Sequence, residues 1–156
     1  MSERYPIVTD IASSQNTANI LKNLLFSQCG VLTGHLTYMY QSWMWGPNDV
    51  VLSDYFGKLA ENDGEVLNAL GNIAVAFSGD PNFMTVSGRN WDSSSLIKQT
   101  DREKLLQESV KMEKGALQDF ENAILSVENE SLKRLLSSIV EDKEKIIADL
   151  TNLQEI

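Results

Sequence analysis

Four stretches of helical periodicity, two short links and one long one predict an all-α chain. The expected architecture is a four-helix bundle of two antiparallel hairpins, joined by a long crossover between the second and third helices. Apolar residues recur every three to four positions through each stretch, and strand-like alternation persists nowhere. The first two stretches are separated by a tight turn, and so are the last two, so each pair must fold back as antiparallel neighbours. The middle link is long enough to run the whole length of the bundle.

Taken in order, residues 1–15 are polar and read as an extended arm. Asn16 or Thr17 is the expected cap of a first helix running to about Trp45. Gly46-Pro47-Asn48-Asp49 forms a compact turn. Asp49 or a neighbour starts the second helix, which ends near Ser78 with Gly79-Asp80-Pro81 as the stop. Residues 79–100, with their Gly, Pro, Ser and Asn, form the crossover. Thr100 or Asp101 opens the third helix, which carries Glu103 in its first turn and reaches about Val127. Glu128-Asn129-Glu130 is a short link, and the fourth helix runs from about Ser131 to Leu153. Pro6, Pro47 and Pro81 lie outside the long periodic stretches, so they punctuate rather than kink.

The core-facing stripes carry the most informative pattern. The second helix presents Leu52, Phe56, Leu59, Asp63, Val66, Leu70, Ile73 and Phe77. The third presents Leu106, Val110, Glu113, Leu117, Phe120, Ile124 and Val127, and the fourth Leu132, Leu136, Ile139, Lys143, Ile146, Leu150 and Leu153. Each stripe is apolar except near its middle, at Asp63, Glu113 and Lys143. The first helix offers Ile20, Leu24, Ser27, Val31, Gly34, Tyr38 and Gln41, with Val31 at its centre. Three helices thus aim an ionisable group at one level of the core. A single such charge commonly lies at a stripe's edge and snorkels to water; three at the same level predict a buried ionic cluster. An unpaired charge there costs several kcal/mol or loses its charge. The expected solution is Lys143 bridging Asp63 and Glu113, with one negative charge left for a shared proton, a second cation or water to handle.

Composition bounds the rest. The 156 residues suffice for one domain spanning 1–156, and 42% hydrophobic residues argue against disorder. A net charge of −9 repels phosphate backbones, so no nucleic-acid partner is expected. Cys29 is the single cysteine, which rules out an intrachain disulfide and fits a reducing cytosol. The N-terminus lacks the basic start and apolar stretch of a signal peptide, and no apolar run approaches the roughly 20 residues of a membrane span. A soluble, cytoplasmic protein without a membrane partner is expected.

Four segments carry a family resemblance. Gly30 to Trp43, GVLTGHLTYMYQSW, resembles the first helix of bacterioferritin-like and rubrerythrin-like proteins, which reads like aGElTAixqYxYqsW. Leu59 to Pro81, LAENDGEVLNALGNIAVAFSGDP, is similar to their second-helix pattern IAxdExxHxxiLGxxIxxLGGdP, through Leu70-Gly71 and Gly79-Asp80-Pro81. Glu113 to Phe120 is similar to the third-helix ExxaixxY, and Ile139 to Ile147, IVEDKEKII, to the fourth-helix IixDExxHi. The resemblance covers about residues 17–153 and implies a ferritin-like bundle. Such folds build a di-iron centre from one Glu on each of two helices and a Glu-x-x-His on each of the other two. Carried over, the first-helix glutamate falls on Val31, and the second-helix Glu-x-x-His on Asp63 and Val66. Glu113 is kept and the neighbouring tyrosine becomes Phe120; the last Glu-x-x-His falls on Lys143 and Ile146. A lysine repels metal ions, and the single histidine, His35, cannot supply two imidazoles. A second register, from Trp43 to Pro81, resembles mini-ferritins that protect DNA. Its ligand positions fall near Ser53, Gly57, Asn68 and Asn72, which are again poor ligands for iron.

Among the remaining residues, His35 is expected to be a packed, hydrogen-bonded side chain and Cys29 an inert, buried thiol. Tyr38, Tyr40, Trp43, Met44 and Trp45 cluster at the end of the first helix but cannot all face one core. Tyr40, Trp43, Met44 and Trp45 are candidates for a protein interface. The alternative is a satellite core with Phe83, Met84 and Trp91 of the crossover. The resulting expectation is a non-catalytic ferritin-like protein, a homodimer acting as a structural or interaction module, with no cofactor and no metal at Val31, Asp63, Val66, Glu113, Lys143 and Ile146. Two alternatives stand beside it. One is an iron-binding oxidoreductase or iron-storage protein with an atypical site using Glu113, Asp63 and His35. The other is a small-molecule binder in the vacated core.

Overall fold

The computed structural model describes residues 5–155, so the first four residues of the predicted arm lie outside it. It contains α1 (Gln15–Phe26), α2 (Val31–Trp45), α3 (Val50–Ala76), a 3-10 turn at Ser93–Ser95, α4 (Arg102–Ser126) and α5 (Glu130–Gln154). The only β feature among the described residues is one isolated bridge, Met84 with Asn90. No helix among them is long and apolar enough to cross a membrane.

The predicted first helix is two helices. Ser27-Gln28-Cys29-Gly30 leaves the helical path, and Gly30 N–H turns back to the Ser27 carbonyl at 2.9 Å. A Cβ on residue 30 would stand 2.7 Å from the Leu25 carbonyl oxygen, so only glycine lets the chain pass so close and restart as α2. Periodicity runs through the break because both pieces bury the same face, which is why the sequence reads as one helix. The cap also differs from expectation: Ser14, rather than Asn16 or Thr17, accepts the Thr17 N–H at 3.2 Å.

The other ends follow local chemistry. Asp49, Asp101 and Asn129 cap α3, α4 and α5 by accepting the N–H of Leu52, Lys104 and Leu132 at 2.9–3.0 Å. At the end of α3 Ser78, not Gly79, takes the left-handed turn, at φ 70°. Ser78 N–H bonds the Val75 carbonyl and Gly79 N–H the Ala74 carbonyl, both at 2.9 Å, completing a Schellman stop. Gly79 is needed for a different reason: a Cβ there would lie 2.7 Å from the Ala18 Cβ.

α1 and α2 together form the first rod of the bundle, with α3, α4 and α5 as the others. At one end Arg102 lies 3.7 Å from Asp49 and donates to the Leu153 carbonyl. At the other end Ser14 N–H bonds the Phe77 carbonyl, and Asn129 donates to the Thr9 carbonyl. The crossover therefore runs the full length of the bundle. It lies along a polar row of α2 spaced four residues apart. Trp91 Nε1 donates to Thr33 at 3.0 Å, Ile97 N–H to Thr37 at 3.4 Å, and Gln41 to the Ile97 carbonyl at 2.5 Å. Thr33, Thr37 and Gln41 are fully covered, so these bonds replace the water they lose. Phe83 packs on Phe26 at 5.2 Å, so it and Trp91 meet the upper part of this rod and not its aromatic end, where the satellite core was placed. The arm is strapped down as well: Tyr5 is buried, its hydroxyl donating to Asp142 at 2.5 Å and lying 3.2 Å from the Asn62 side chain.

Buried side chains fall into two apolar clusters. One gathers Leu21, Leu25, Val31, Val66, Phe120 and Ile139 with their neighbours; the other gathers Tyr38, Leu52, Phe56, Leu106, Met112 and Ile146 with theirs. The boundary between them falls at the level of Asp63, Glu113 and Lys143. Glycine substitutions separate close approach from mere propensity. Gly30→Ala should lower stability by about 1–3 kcal/mol through overpacking, whereas Gly71→Ala, whose Cβ meets nothing within 4 Å, should raise it by up to about 1 kcal/mol. Urea midpoints check both, and equal shifts in one direction would contradict the account of the break.

Candidate functional site

Each predicted ionic position sits at mid-helix and is almost wholly buried: Asp63 is 4% exposed, Glu113 2% and Lys143 5%. Three helices deliver them because each carries its charge at the centre of an otherwise apolar stripe. α4 departs somewhat from that stripe, since Leu105, Ser109, Met112 and Ala116 are buried while Val110 and Leu117 are half-buried. The α4 face is thus rotated, but Glu113 stays inside it.

Glu113 is the hub. The Tyr38 hydroxyl donates to its Oε1 at 2.7 Å, and the Lys143 ammonium donates to its Oε2 at 3.2 Å. Both oxygens are thereby engaged, in a charge-assisted pair that partly offsets the desolvation of two ions. Lys143 also lies 5.6 Å from the centre of the Phe120 ring, within range of a cation–π contact. Burial alone pulls the lysine pKa down, but the carboxylates of Glu113 and Asp63 outweigh it and leave it above the usual value. Burial, then the charges of Glu113 and Asp63, push the Tyr38 hydroxyl well above its ordinary range, so it stays a donor. Tyr38 stacks on Phe56 at 5.6 Å. The sequence placed Tyr38 on the first-helix stripe and in the aromatic cluster without its role here. The available signal was its position seven residues after Val31, two turns along the same face.

Lys143 does not bridge the two carboxyls as expected. Its ion pair within 4 Å is with Glu113, and Asp63 feels its charge from further away. The Asp63 carboxyl lies against Gly34, where a Cβ would come within 2.6 Å of Oδ2. Burial pushes the Asp63 pKa up to about 7, Lys143 pulls against that shift, and Glu113 adds to it. Burial thus favours a proton on Asp63, the direction that relieves the surplus negative charge of two acids facing one lysine.

The remaining positions carried over from the resemblance, Val31, Val66 and Ile146, are buried apolar residues. His35 is half-buried, with Nδ1 2.7 Å from the Ala60 carbonyl oxygen and its ring against Gly64. Cys29 is half-buried against Gly115, and burial followed by the charges of Asp119 and Glu113 raises its pKa, disfavouring the thiolate. Ser53 exchanges hydrogen bonds with Ser42 at 2.7 and 2.9 Å, and Gly57 sits beside the same serine. Asn68 and Asn72 are exposed on α3. In the proposed interface Trp43 is 69% and Met44 51% exposed, while Tyr40 and Trp45 are half-buried.

The Asp63 shift sets a pH dependence. A carboxyl whose folded pKa lies above its unfolded value of 3.8 contributes stability that is complete below about pH 4 and lost as pH rises towards 7. Asp63→Asn should abolish this component, on the order of 3 kcal/mol across that window. Urea unfolding of both proteins at pH 4.5, 6 and 7.5 reads it. Parallel pH profiles would contradict a protonated Asp63.

Comparison with known proteins follows this geometry. No protein-family model matches the sequence, and no curated protein matches it. Solved structures do. Two crystal structures of KatB, a manganese catalase from Anabaena, one of them of the wild type, superpose with a TM-score of 0.86. Each is 19% identical in sequence, and the match covers 99% of this chain and 79% of theirs. At that identity the likeness speaks for the fold. The chain folds as a ferritin-like four-helix bundle.

Proposed function

We propose that this chain is a non-catalytic ferritin-like bundle whose centre holds an ionic layer in place of a metal pair, and that it serves as a structural or interaction module. The observation that carries this reading is the Lys143 ammonium, 3.2 Å from Glu113 at the centre of the bundle. It supplies internally the positive charge that a metal ion would bring.

A metal pair of the kind the fold implies needs several open carboxylates and two imidazoles. Both oxygens of Glu113 are engaged by Tyr38 and Lys143, and burial pushes the Asp63 pKa up to about 7, which disfavours its ionised, ligating form. Val31, Val66 and Ile146 bring no ligand atoms. Among the described residues no group of three or more His, Cys, Asp and Glu side chains comes together. The residues do not fit a metal pair.

The likeness to manganese catalases supports a second reading, a metal-binding oxidoreductase using Asp63 and Glu113 after displacement of Lys143. Protein purified without chelator and dialysed separates the two. The ionic-layer reading expects no stoichiometric manganese, iron or zinc, and hydrogen peroxide loss and ferrous oxidation at the buffer rate. One or two retained ions per chain with a saturable activity would replace it by the oxidoreductase.

The module reading includes a homodimer through the aromatic end of α2. Trp43 and Met44 present large apolar side chains to solvent there, of the kind enriched at interface centres. Sedimentation velocity should give a dimer at micromolar concentration, and Trp43→Ala should weaken it at least about tenfold. A wild-type monomer at high micromolar concentration would reject the dimer while leaving the ionic layer untouched.

A further inference from the structure

On the outer side of α3, away from the ionic layer, a groove of about 440 Å³ runs between α2, the end of α1 and the crossover. That volume falls in the size range of small-molecule sites. Leu67, Val75 and Phe83 give it apolar walls, the His35 ring covers Gly64, and Gly71, one heptad further along α3, leaves the floor bare.

Glycine weakens a helix interior relative to alanine, so its presence there calls for a reason. At Gly64 the reason is internal, since a Cβ would press on the His35 ring at 3.1 Å. At Gly71 a Cβ would meet nothing within 4 Å, so packing within the chain does not account for it. Phe83 adds a separate observation. It holds φ at 62°, a left-handed conformation unfavourable for an aromatic residue, and leaves its ring 58% exposed beside the groove. Its carbonyl accepts the Trp91 N–H at 2.8 Å, which fixes the strained turn in place. Backbone strain of this kind concentrates at ligand clamps.

The groove offers two fixed acceptors beside the side-chain amide of Asn68. His35 Nδ1 lies 2.7 Å from the Ala60 carbonyl, which only accepts, so Nδ1 carries the proton and Nε2 of the neutral ring is left with a lone pair. Asn72 spends its amide N–H on the Asn68 carbonyl at 2.9 Å, leaving Oδ1 as an acceptor.

We propose that this groove binds a flat, apolar small molecule carrying a hydrogen-bond donor, of the hydroxylated aromatic class. The ring lies over the bare backbone at Gly71 beside Phe83, and the hydroxyl donates to His35 Nε2. The proposal stands on different residues from the ionic layer and does not depend on it.

The test uses 2-naphthol as probe and its methyl ether, 2-methoxynaphthalene, as the same shape without a donor. Both are titrated into the full-length, isotope-labelled protein and followed by amide chemical shifts. Saturable 2-naphthol binding is expected, with shifts confined to residues 64–75, 83 and 35. The ether should bind at least about fivefold more weakly, the usual scale of one lost hydrogen bond. Gly71→Leu, which fills open space, should keep or raise its melting point and lose binding at least about tenfold. Equal binding of the two probes, no saturable binding up to the solubility of 2-naphthol, or unchanged binding by Gly71→Leu would each overturn the proposal. So would a dimer that Gly71→Leu converts to monomer while 2-naphthol fails to bind, because the groove would then belong to a second copy of the chain.

Discussion

Keeping an ammonium and a carboxylate out of water at mid-helix is the constraint around which this bundle is arranged. Removing either ion from water costs several kcal/mol, and their mutual attraction offsets that only when every remaining lone pair and proton finds a partner. The surrounding residues meet that demand. Tyr38 takes the second oxygen of Glu113, Phe120 offers its ring face to Lys143, and Gly34 makes room for the Asp63 carboxyl. Asp63 completes the balance by holding a proton towards neutral pH. The apolar core is correspondingly divided into a cluster on each side of the layer. A single register of the four rods brings these groups level, so the layer also specifies how the helices align, a role for which buried polar groups are known elsewhere.

The placement of the layer was legible in the sequence because helical periodicity fixes which residues share a face. Asp63, Glu113 and Lys143 each interrupt an apolar stripe, and stripe position translates directly into depth in a bundle. The fold was legible for a related reason, since link lengths fix which helices are neighbours. The details that periodicity does not encode were missed. Residues 27–30 break the first rod through a close approach of Gly30 to the Leu25 carbonyl, a long-range steric fact with no periodic trace. Ser78 takes the left-handed turn, and Gly79 is needed instead for its close approach to Ala18, again a long-range contact with no periodic trace. Lys143 pairs with one carboxylate and not two, and the burial of Leu105 and Met112 shows α4 turned from the expected face; stripe position fixes depth but neither rotamer nor fine helix rotation.

The same distinction applies outside the core. Thr33, Thr37 and Gln41 look like ordinary polar residues in the sequence, yet the crossover covers them and satisfies them one after another. This polar seam ties the long connection to the first rod and holds Phe83 at the edge of the α3 groove. The bundle interior and its outer groove are thus separate features, one closed by an internal ion pair and the other left open to solvent.

The central claim is that Lys143 and its carboxylates form one coupled, buried unit. Urea unfolding of three proteins tests it most directly: wild type, Lys143→Ala, and a triple variant with Asp63→Leu, Glu113→Leu and Lys143→Met. Removing the lysine alone leaves Glu113 without its counter-ion in low dielectric, and should cost about 3–5 kcal/mol. Removing all three charges takes away the desolvation penalty with them, and should leave stability unchanged or higher. A Lys143→Ala midpoint equal to that of the wild type, or a triple variant that loses more than the single one, would contradict the account.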